Sequence, residues 1–284
     1  GWNFLWGKPM KFTDHMRLNE YQKVCHFPGT FFLGRKDSLS RQVNLFRRRT
    51  ATGHEPDSQT QRFVLKVFRG TDETFYILKP KAGARGIGIR LLIDPEREVK
   101  RNASCIVQRY LDKPLLIDGR KFDLRLYVLV TCFDPLRIYL FDEGLVRMAT
   151  EPYSHNPKPQ NRHLTNYSIN KFNPDFKGDG GEDEEGGGLK WSLAHFEEWM
   201  TEQGIEAGPV FARIKDLVIK TMLTVEAKIN TNLQMHVPSR RNCYELFGFD
   251  VMLDANLKPW LIEVNSSPSL ATDAPLDKKI KNQL

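Results

Sequence analysis

The sequence predicts an α+β protein with mainly antiparallel sheets and flanking helices. Residues 122–130 (FDLRLYVLV) and 137–141 (RIYLF) are rich in β-branched and aromatic residues, which is typical of strands. Residues 245–265 (ELFGFDVMLDANLKPWLIEVN) indicate a hairpin, because a polar segment separates two apolar runs. From Asp118 onward, strand and helix signals alternate and end in this hairpin, which favours a mixed fold.

Two helices are predicted in the second half of the chain. Ser192 is expected to cap a helix that runs through Gln203 and is closed by Gly204. A second helix follows from apolar residues at helical spacing, namely Val210, Phe211, Ile214, Leu217 and Val218. The acidic, glycine-rich insert at 178–188 is predicted to form a loop between the strands and these helices.

A smaller sheet is predicted from three short runs before residue 112. FYILK and GIGIRLLI flank a glycine-containing turn, and IVQRYL supplies a third strand. Residues before 70 are basic and irregular, with a turn at 26–29 and a polar loop at 50–61. We therefore expect an N-terminal lobe (1–70), a central lobe with the glycine turn (71–111) and a C-terminal lobe with the hairpin (112–284).

The composition is that of a folded chain with an acidic partner. Of the 284 residues, 40% are hydrophobic and 27% are charged, which suffices to bury a core. No apolar run approaches the ~20 residues of a membrane span, and residues 1–8 lack signal-peptide features, so we expect a soluble chain. Its four cysteines are scattered without a C-x-x-C pair, which favours a reduced, cytosolic-type compartment. The net charge of +7 leaves nucleic acid, an anionic membrane and an acidic protein tail open as partners.

The hairpin carries polar side chains that suit a metal ion. If Asp254 pairs with Pro259, then Asp250 lies opposite Glu263, and alternation puts both carboxylates and Asn265 on one face. The other face is then apolar and consists of Phe247, Phe249, Val251, Leu253, Trp260, Ile262 and Val264. Opposed carboxylates repel unless a cation compensates them, and three oxygen ligands suit magnesium. The alternative is a set of solvent-exposed polar residues on a strand.

A second polar line lies on the run that begins at Lys121. Alternation places Lys121, Asp123 and Arg125 on one face, opposite an apolar face of Phe122, Leu124 and Leu126. A lysine suits a phosphate, and the arginine fork suits a carboxylate held through two hydrogen bonds. An ordinary half-exposed strand with an ion pair explains the same pattern.

The third candidate element is the glycine-containing segment LKPKAGARGIGI at 78–89. A strand pattern rather than a helix follows it, so it is neither a dinucleotide fingerprint nor a P-loop. Such a hairpin can close its backbone N–H groups over phosphates while Lys79 reaches them from the preceding strand, although a simple glycine turn is the alternative. The chain shows no signature of a nucleophile with a base, which disfavours a hydrolase, and His163 is predicted to be a structural hydrogen-bonding residue.

At these residues the chain resembles the tubulin tyrosine ligase-like family, which has the ATP-grasp fold. The resemblance rests on HFPGTFFLGRKD, LKPKAGARGIGI, VQRYLDKPLLIDGRKFDLRLYVLV, DPLRIYLFDEGLVRMAT, HLTNYSINK, KWS, ELFGFDVML and LKPWLIEVNSSPSL. It covers the chain except about residues 42–74 and the acidic insert, and it is strongest for the polyglutamylase branch. It implies that a nucleotide binds between the central and C-terminal lobes.

The resemblance implies specific roles for individual residues. Phosphate contacts would come from Lys36, Lys79, Arg85, Gly86 and Lys121. The adenine-binding hinge would be formed by Gln108, Arg109, Tyr110 and Leu111, and further nucleotide contacts by Asp123, Thr165 and Asn166. Magnesium would be held by Asp250, Glu263 and Asn265. The incoming glutamate would be bound by Arg125, Tyr167, Ser168 and Lys190. The residues closest to the chemistry would be Lys79, Arg85, Arg125 and Glu263.

The resemblance also implies a reaction. ATP and Mg²⁺ would support ligation of free L-glutamate to glutamate side chains of acidic tubulin tails through an acyl phosphate, with no protein nucleophile. An acidic protein other than tubulin is the alternative acceptor. Ala84-Arg85 before Gly86 resembles the sequence of branch initiators rather than elongators. We expect a monomer in the cytoplasm on the microtubule cytoskeleton, including the basal body of cilia, that binds neither nucleic acid nor membrane.

Overall fold

The computed structural model describes residues 1–50, 75–80, 87–100, 103–156, 162–165, 188–272 and 274–284, with the backbone alone at 47, 49 and 50. Seven helices lie within these ranges, and we number them in chain order. They are α1 (Phe12–His15), α2 (Phe31–Gly34), α3 (Lys36–Thr50), α4 (Pro95–Glu98), α5 (Leu193–Glu202), α6 (Ala207–His236) and α7 (Pro275–Lys281).

Eleven strands lie in the same described ranges. They are β1 (Phe4–Leu5), β2 (Lys23–Val24), β3 (Tyr76–Pro80), β4 (Arg90–Leu92), β5 (Cys105–Arg109), β6 (Leu116–Ile117), β7 (Arg120–Phe133), β8 (Leu136–Met148), β9 (Lys190–Ser192), β10 (Glu245–Leu253) and β11 (Pro259–Asn265). The predicted α+β class with mainly antiparallel sheets is therefore confirmed.

A six-stranded antiparallel sheet forms the centre of the molecule. Its order is β11-β10-β7-β8-β9, and the short β6 also pairs with β7. The long helix α6 packs on one face with Val210, Ile214, Val218, Met222 and Val225, all buried in the main core. Burial of this apolar helix stripe against the sheet stabilises the fold.

The two predicted helices are confirmed at nearly the expected positions. The hydroxyl of Ser192 accepts a hydrogen bond from the backbone N–H of His195 at 3.1 Å, which makes Ser192 the N-cap of α5. Gly204 follows the helix with a φ of 72°, a left-handed conformation that glycine adopts without strain. The second helix, α6, extends well beyond the periodic residues, to His236.

The predicted small sheet is also present, with β3 between β4 and β5. Tyr76, Leu78 and Leu92 form its own small core, separate from that of the large sheet. Of the GIGIRLLI run, only Arg90–Leu92 forms a strand, and Ile87 and Gly88 lie in a turn. Half of the glycine segment, residues 81–86, lies outside the described residues.

The register predicted for the hairpin is correct in one half and wrong in the other. Asp250 pairs with Glu263 as expected, but Leu253, rather than Asp254, pairs with Pro259. A β-bulge between these pairs shifts the register by one residue, which reverses the face that each side chain occupies. Leu261 therefore packs against the main core with Val264, where simple alternation predicted Trp260 and Ile262.

Residues 1–50 contain more helix than their sequence indicates. The helix α3 covers residues 36–50, and its Leu39 and Val43 join the main core of the large sheet. Gln42 is also buried on this face, which weakens the apolar periodicity by which such a helix is identified. The predicted 50–61 loop, except for the end of α3, and the 178–188 insert, except Gly188, lie outside the described residues. The division into three lobes stays a prediction. Across the described ranges, no helix is both long and apolar enough to cross a membrane.

Candidate active site

The polar face of β7 forms the floor of the candidate site. Phe122, Leu124 and Leu126 are fully buried in the main core, so Lys121, Asp123 and Arg125 point to the opposite face, as alternation predicts. Lys121 and Asp123 are buried as well, at 6% and 4% exposure. The alternative interpretation, a half-exposed strand with an ion pair, is therefore wrong about the exposure and right about the ion pair, which Asp123 forms with Arg147.

Two arginines and two aspartates form a continuous charged chain across β7, β8 and β10. Arg147 on β8 donates from Nε and Nη2 to the carboxylate of Asp123 at 2.8 and 2.5 Å, and its Nη2 lies 3.1 Å from Asp250. Arg125 donates from Nε and Nη2 to Asp250 at 2.5 and 3.1 Å. Each carboxylate thus contacts at least one guanidinium, an arrangement of charge-assisted hydrogen bonds that fixes both side chains.

Burial and these contacts shift the pKa values of the two carboxylates in opposite directions. Burial alone would raise the pKa of Asp250, but the two guanidinium groups outweigh burial and hold it well below its usual range. Burial raises the pKa of Asp123, and the attraction of Arg147 offsets only part of that rise. Asp250 is therefore the carboxylate that stays charged under all ordinary conditions.

Gly248 makes the approach of Arg125 to Asp250 possible. A Cβ on Gly248 would lie 2.9 Å from Cβ of Pro268 and 3.4 Å from Cδ of Arg125, so a larger residue would displace both neighbours. The glycine in ELFGFDVML thus leaves room for the arginine side chain to cross β10.

The hairpin pair is neutralised by protein cations. Asp250 lies opposite Glu263 on one face, as predicted, and the Glu263 carboxylate binds the ammonium of Lys36 at 2.7 Å. Asn265 pairs with Gly248 on the same hairpin and donates a hydrogen bond to its carbonyl at 3.4 Å. Arginine and lysine therefore supply the compensation for which a metal was predicted. In the part of the chain that the structure describes, no cluster of three or more His, Cys, Asp or Glu side chains is placed to hold a metal ion.

Two buried lysines lie beside this hairpin. Lys79 on β3 and Lys121 on β7 are each 6% exposed, and among the described residues neither makes an ion pair. Burial lowers the pKa of Lys79 to about 8, although the nearby charge of Glu263 opposes the shift. Burial lowers the pKa of Lys121 to about 7, against the attraction of Asp123. A desolvated ammonium group that makes no direct ion pair is costly, so both positions favour an anionic ligand.

Three of the residues predicted to bind nucleotide, Lys36, Lys79 and Gln108, line one cleft between the small sheet and the hairpin. Glu263 lines it as well, together with Gly34 and Ile262. Of the other hinge residues, Arg109 is exposed, Leu111 is half-buried and Tyr110 is buried. Thr165 is buried at 8% exposure. The structure thus brings the three N-terminal, central and C-terminal regions to a common cleft.

A hydrogen-bond relay joins Lys121 to the hinge. The Lys121 ammonium donates to the Tyr110 hydroxyl at 2.8 Å and lies 4.4 Å from the centre of its ring. The same hydroxyl lies 3.0 Å from Nδ1 of His163, whose Nε2 is 2.7 Å from the carbonyl of Asn156. Burial lowers the pKa of His163, which favours the neutral ring. This position agrees with the structural role predicted for His163.

Comparison with known proteins identifies the family of this chain. The sequence signature of the Tubulin-tyrosine ligase family matches residues 13–284. The chain belongs to this family. It is 43% identical over 295 residues to Tubulin monoglutamylase TTLL4 of Mus musculus, covering all of this chain and 24% of that protein.

Other members of the family are similarly close. The chain is 42% identical over 292 residues to Tubulin polyglutamylase TTLL5 of Homo sapiens, covering 99% of this chain and 23% of that protein. It is 38% identical over 294 residues to Tubulin polyglutamylase ttll-4 of Caenorhabditis elegans, covering 98% and 47%. The chain therefore spans about a quarter to a half of the length of these relatives.

The residues predicted to bind an amino acid are only partly brought together. Arg125 lies at the floor of the site, bound to Asp250. Lys190 on β9 binds Asp277 at 2.8 Å, and Asp277 also binds Lys281 at 2.6 Å. The other predicted contacts to this substrate and to the nucleotide lie outside the described residues; these are Arg85, Gly86, Asn166, Tyr167 and Ser168.

Arg147 is the main residue that sequence reasoning missed in this member of the family. It lies directly opposite Asp123 in the β7–β8 ladder and joins the two aspartates of the site. The signal was an arginine between two apolar residues, Val146 and Met148, on a strand whose alternation predicts a polar face. Which residue lies opposite Arg147 depends on the register of the two strands. Two irregularities in the ladder shift this register, so counting residues from the turn gives the wrong partner.

Proposed function

We propose that this chain is the catalytic core of an ATP- and magnesium-dependent ligase that attaches L-glutamate to glutamate side chains in tubulin tails. The observation that carries the proposal is the pair of buried lysines, Lys79 and Lys121, beside the Asp250–Glu263 hairpin. Buried lysines can bind the phosphates of a nucleotide. The neighbouring carboxylate pair can bind a magnesium ion that the same phosphates also bind. Membership of the tubulin-tyrosine ligase family and the printed names of its relatives supply the substrate class.

The nucleotide would occupy the cleft between the small sheet and the hairpin. Lys36, Lys79 and Lys121 would bind its phosphates, together with Arg85 and Gly86 of the glycine segment. The adenine would lie along the hinge, and its neighbours would be Gln108, Arg109, Tyr110 and Leu111. Asp123, Thr165 and Asn166 would complete the nucleotide contacts. Because the lysine pKa values are lowered by burial, a phosphate would restore their full charge on binding.

The hairpin oxygens fit a magnesium ion by their chemistry. Asp250, Glu263 and Asn265 offer two carboxylates and an amide on one face, and the lowered pKa of Asp250 keeps it anionic. Magnesium prefers such hard oxygen ligands and keeps water or phosphate oxygens at its other positions. When bound, it would neutralise charge that develops on the transferred phosphoryl group.

The incoming glutamate would lie near Arg125 and Lys190, with Tyr167 and Ser168. Arg125 donates from Nε and Nη2 to Asp250, so the edge formed by Nη1 is the one that can face a substrate carboxylate. Lys190 is already neutralised by Asp277, which restrains its position. Arg125 is therefore the stronger candidate for holding the carboxylate.

Catalysis would need no covalent bond to the protein. The acceptor carboxylate would attack the γ-phosphorus of ATP, giving an acyl phosphate and ADP. The amine of free glutamate would then attack the acyl carbon, expel inorganic phosphate and lose a proton, leaving an isopeptide bond. Lys79, Lys121 and Arg85 would stabilise the transferred phosphoryl group, and Arg125 would position the amino acid.

The acceptor would be an acidic tail drawn in by the basic surface. The chain carries a net charge of +7, which attracts and orients acidic segments. We propose a monomer that acts on microtubules of the cytoskeleton, basal bodies of cilia included, and that binds neither nucleic acid nor membrane as a substrate.

Incubation of the purified chain with tubulin, ATP and glutamate, followed by mass spectrometry, tests the proposal. We expect glutamate-sized mass increments on the tails, and none with Glu263→Gln, because the neutral amide weakens magnesium binding without added bulk. Near-normal ligation by a folded Glu263→Gln protein would remove the magnesium assignment. Modification of another acidic protein in preference to tubulin would favour the alternative acceptor.

We further propose that the enzyme starts glutamate branches rather than extending them. The carrier of this proposal is Arg85 in the glycine segment, where its guanidinium would pair with acidic residues around an internal glutamate. The monoglutamylase name of one relative agrees with it. Two synthetic tail peptides, one unmodified and one with a single branched glutamate, provide the test. The unmodified peptide should have the higher kcat/KM, and Arg85→Gln should shift the preference towards the branched one; a preference of the wild type for the branched peptide would overturn the assignment.

A further inference from the structure

A second basic cavity lies at the opposite end of β7 from the candidate active site. It has a volume of about 750 Å³ and is lined by the β7–β8 turn, the segment before β10 and the N-terminal strands. At about 3.3 Å per residue, the strand from Asp123 to Thr131 spans roughly 25 Å. The cavity is therefore too distant for its lining residues to contact a nucleotide in the cleft.

The cavity has more cationic side chains than ion pairs to neutralise them. Four of its lining residues are cationic, Lys23, Arg137, Arg240 and Arg241, and only Asp134 is acidic. Arg240 binds Asp134 at 3.4 Å, and the Lys23 ammonium donates to the carbonyl of Arg241 at 2.5 Å. Among the described residues, the guanidinium groups of Arg137 and Arg241 make no ion pair. Both side chains are exposed and available to an anion.

An aromatic wall stands beside these cations. The rings of Phe4 and Tyr244, which both line the cavity, are stacked at 4.9 Å, and Trp6 lies 6.3 Å from Tyr244. Phe4 and Trp6 are 63% and 53% exposed, which is unusual for large apolar side chains. Aromatic and arginine side chains together are the composition typical of protein recognition surfaces.

We propose that this cavity is a docking site for an acidic peptide segment, separate from the active site. Its volume lies within the range of ligand pockets and accommodates a few residues of extended chain. The arginine forks match carboxylates, and the aromatic wall packs against side-chain stems and backbone. The cations cluster in one cavity instead of following a long stripe, which favours a short acidic peptide over nucleic acid.

Docking here would add a second anchor for an acidic protein whose tail enters the active site. Two linked contacts raise the effective concentration of the second segment without any new contact at the first. The inference rests on the proposed function only for the source of the acidic segment. Peptide binding to the cavity needs neither ATP nor glutamate, so its failure and the failure of ligation are distinguishable.

Binding of a fluorescent oligoglutamate peptide of about ten residues tests the site by anisotropy, without nucleotide. We expect the Arg137→Ser, Arg241→Ser double variant to bind about fivefold or more weakly. The matched control is Arg213→Ser, Lys215→Ser, which removes the same charge from exposed positions of α6 and should change affinity less than about twofold. Equal losses in both double variants would show general electrostatic attraction and overturn the proposal.

Thiol labelling locates the bound peptide. Cys132 lines the cavity and is half-buried, whereas the equally half-buried Cys105 lies on β5. Bound peptide should slow modification of Cys132 and leave Cys105 unchanged, as read by mass spectrometry. Unchanged labelling of Cys132 at saturating peptide would overturn the proposal. A single-stranded oligonucleotide of equal charge that protects Cys132 better than the peptide would reassign the cavity to nucleic acid.

Discussion

Strand β10 carries two buried carboxylates, Asp250 and Glu245, whose surroundings differ. Asp250 contacts the guanidinium groups of Arg125 and Arg147, and its pKa is held well below the usual range. Glu245 contacts the imidazole of His26 at 2.8 Å and the backbone N–H of Phe27 at 2.9 Å, and burial raises its pKa to about 7. Comparable burial thus gives one permanent charge and one that titrates near neutrality.

The difference lies in whether the partner can lose its charge. An arginine stays protonated at any ordinary pH, so Asp250 remains an anion. An imidazole can release its proton, so the His26–Glu245 pair adjusts its charge to its buried position. His26 also lies 2.9 Å from the carbonyl of Gly7, which ties the N-terminal turn to the sheet. The surroundings of Asp250 thus keep a fixed charge, whereas the His26–Glu245 pair joins the N-terminal residues to the sheet.

The strongest test of this contrast is removal of Arg147. Arg147→Met leaves Asp123 and Asp250 buried without their shared cation, and we expect a loss of about 3–5 kcal/mol in the free energy of unfolding. Urea unfolding measures it. The matched control is Arg137→Met at an exposed position on the same strand, where we expect a change of less than about 0.5 kcal/mol.

Similar stabilities for the two methionine variants would contradict the structural importance of the charged chain. If Arg147→Met does not fold, Arg147→Lys provides a second measurement. Lysine keeps the charge but cannot make the two-pronged contact with Asp123, so an intermediate loss of stability is expected.

The next largest effect is expected at the neighbouring arginine. Arg125→Ala should raise the glutamate KM strongly, by the equivalent of about 2–5 kcal/mol, because the substrate carboxylate would be desolvated without a partner. ATP affinity should change little, since Asp250 keeps Arg147. Steady-state kinetics with each substrate varied in turn separates the two. An unchanged glutamate KM would show that Arg125 serves Asp250 alone.

The sequence predicts the faces of strands better than their registers. Alternation correctly separated Lys121, Asp123 and Arg125 from the core side of β7, because a packed apolar face tolerates no slip. Counting from the pair Phe133–Leu136 would place Val146 opposite Asp123, but two irregularities put Arg147 there instead. Bulges depend on local backbone geometry and tertiary packing, which a residue pattern does not contain.

The same limit explains the other departures. The bulge beyond Asp250 places Leu261 on the core face of β11, where alternation had predicted its neighbours Trp260 and Ile262. The helix α3 was missed because Gln42 occupies part of its buried stripe, and tertiary packing of Leu39 and Val43 in the main core stabilises it. Polar residues predicted from motifs did converge, since Lys36, Lys79, Gln108 and Glu263 line one cleft.

A smaller effect is expected from the pH dependence of nucleotide binding at Lys121. Burial lowers its pKa to about 7 in the free protein, and bound phosphates would raise it. Binding would then take up a proton above pH 7, so ATP affinity should fall as pH rises from 6 to 7.5, by at most tenfold per pH unit. Calorimetry across this range measures the affinity. Lys121→Arg, which cannot lose its charge, should leave only the weaker dependence of Lys79, whose pKa is lowered to about 8, and an unchanged dependence would contradict the assignment.

The smallest effect is expected from the pair in the other region. The pKa of Glu245 is raised from 4.5 to about 7, and that of His26 is raised above 6.5, so the folded chain holds protons that the unfolded chain has released. The stability that this binding contributes is complete below about pH 4.5 and is lost as pH rises through about 7. Glu245→Gln cannot titrate, so the free energy of unfolding of the variant should fall less steeply between pH 5 and 7. We expect the slopes to differ by about 1 kcal/mol per pH unit, because over most of this range the folded chain holds one proton that the unfolded chain has released.

Lys79 and Lys121 also make the stability depend on pH, so the effect of Glu245 must be measured as the difference between wild type and Glu245→Gln. Burial lowers the pKa values of Lys79 and Lys121, so above pH 7 the unfolded chain binds more protons and stability rises with pH, opposite to the effect of Glu245. Urea unfolding of wild type and Glu245→Gln at pH 5, 6 and 7 cancels the contribution that both share. Equal slopes would show that Glu245 is already ionised throughout, and that His26 neutralises it as permanently as the arginines neutralise Asp250.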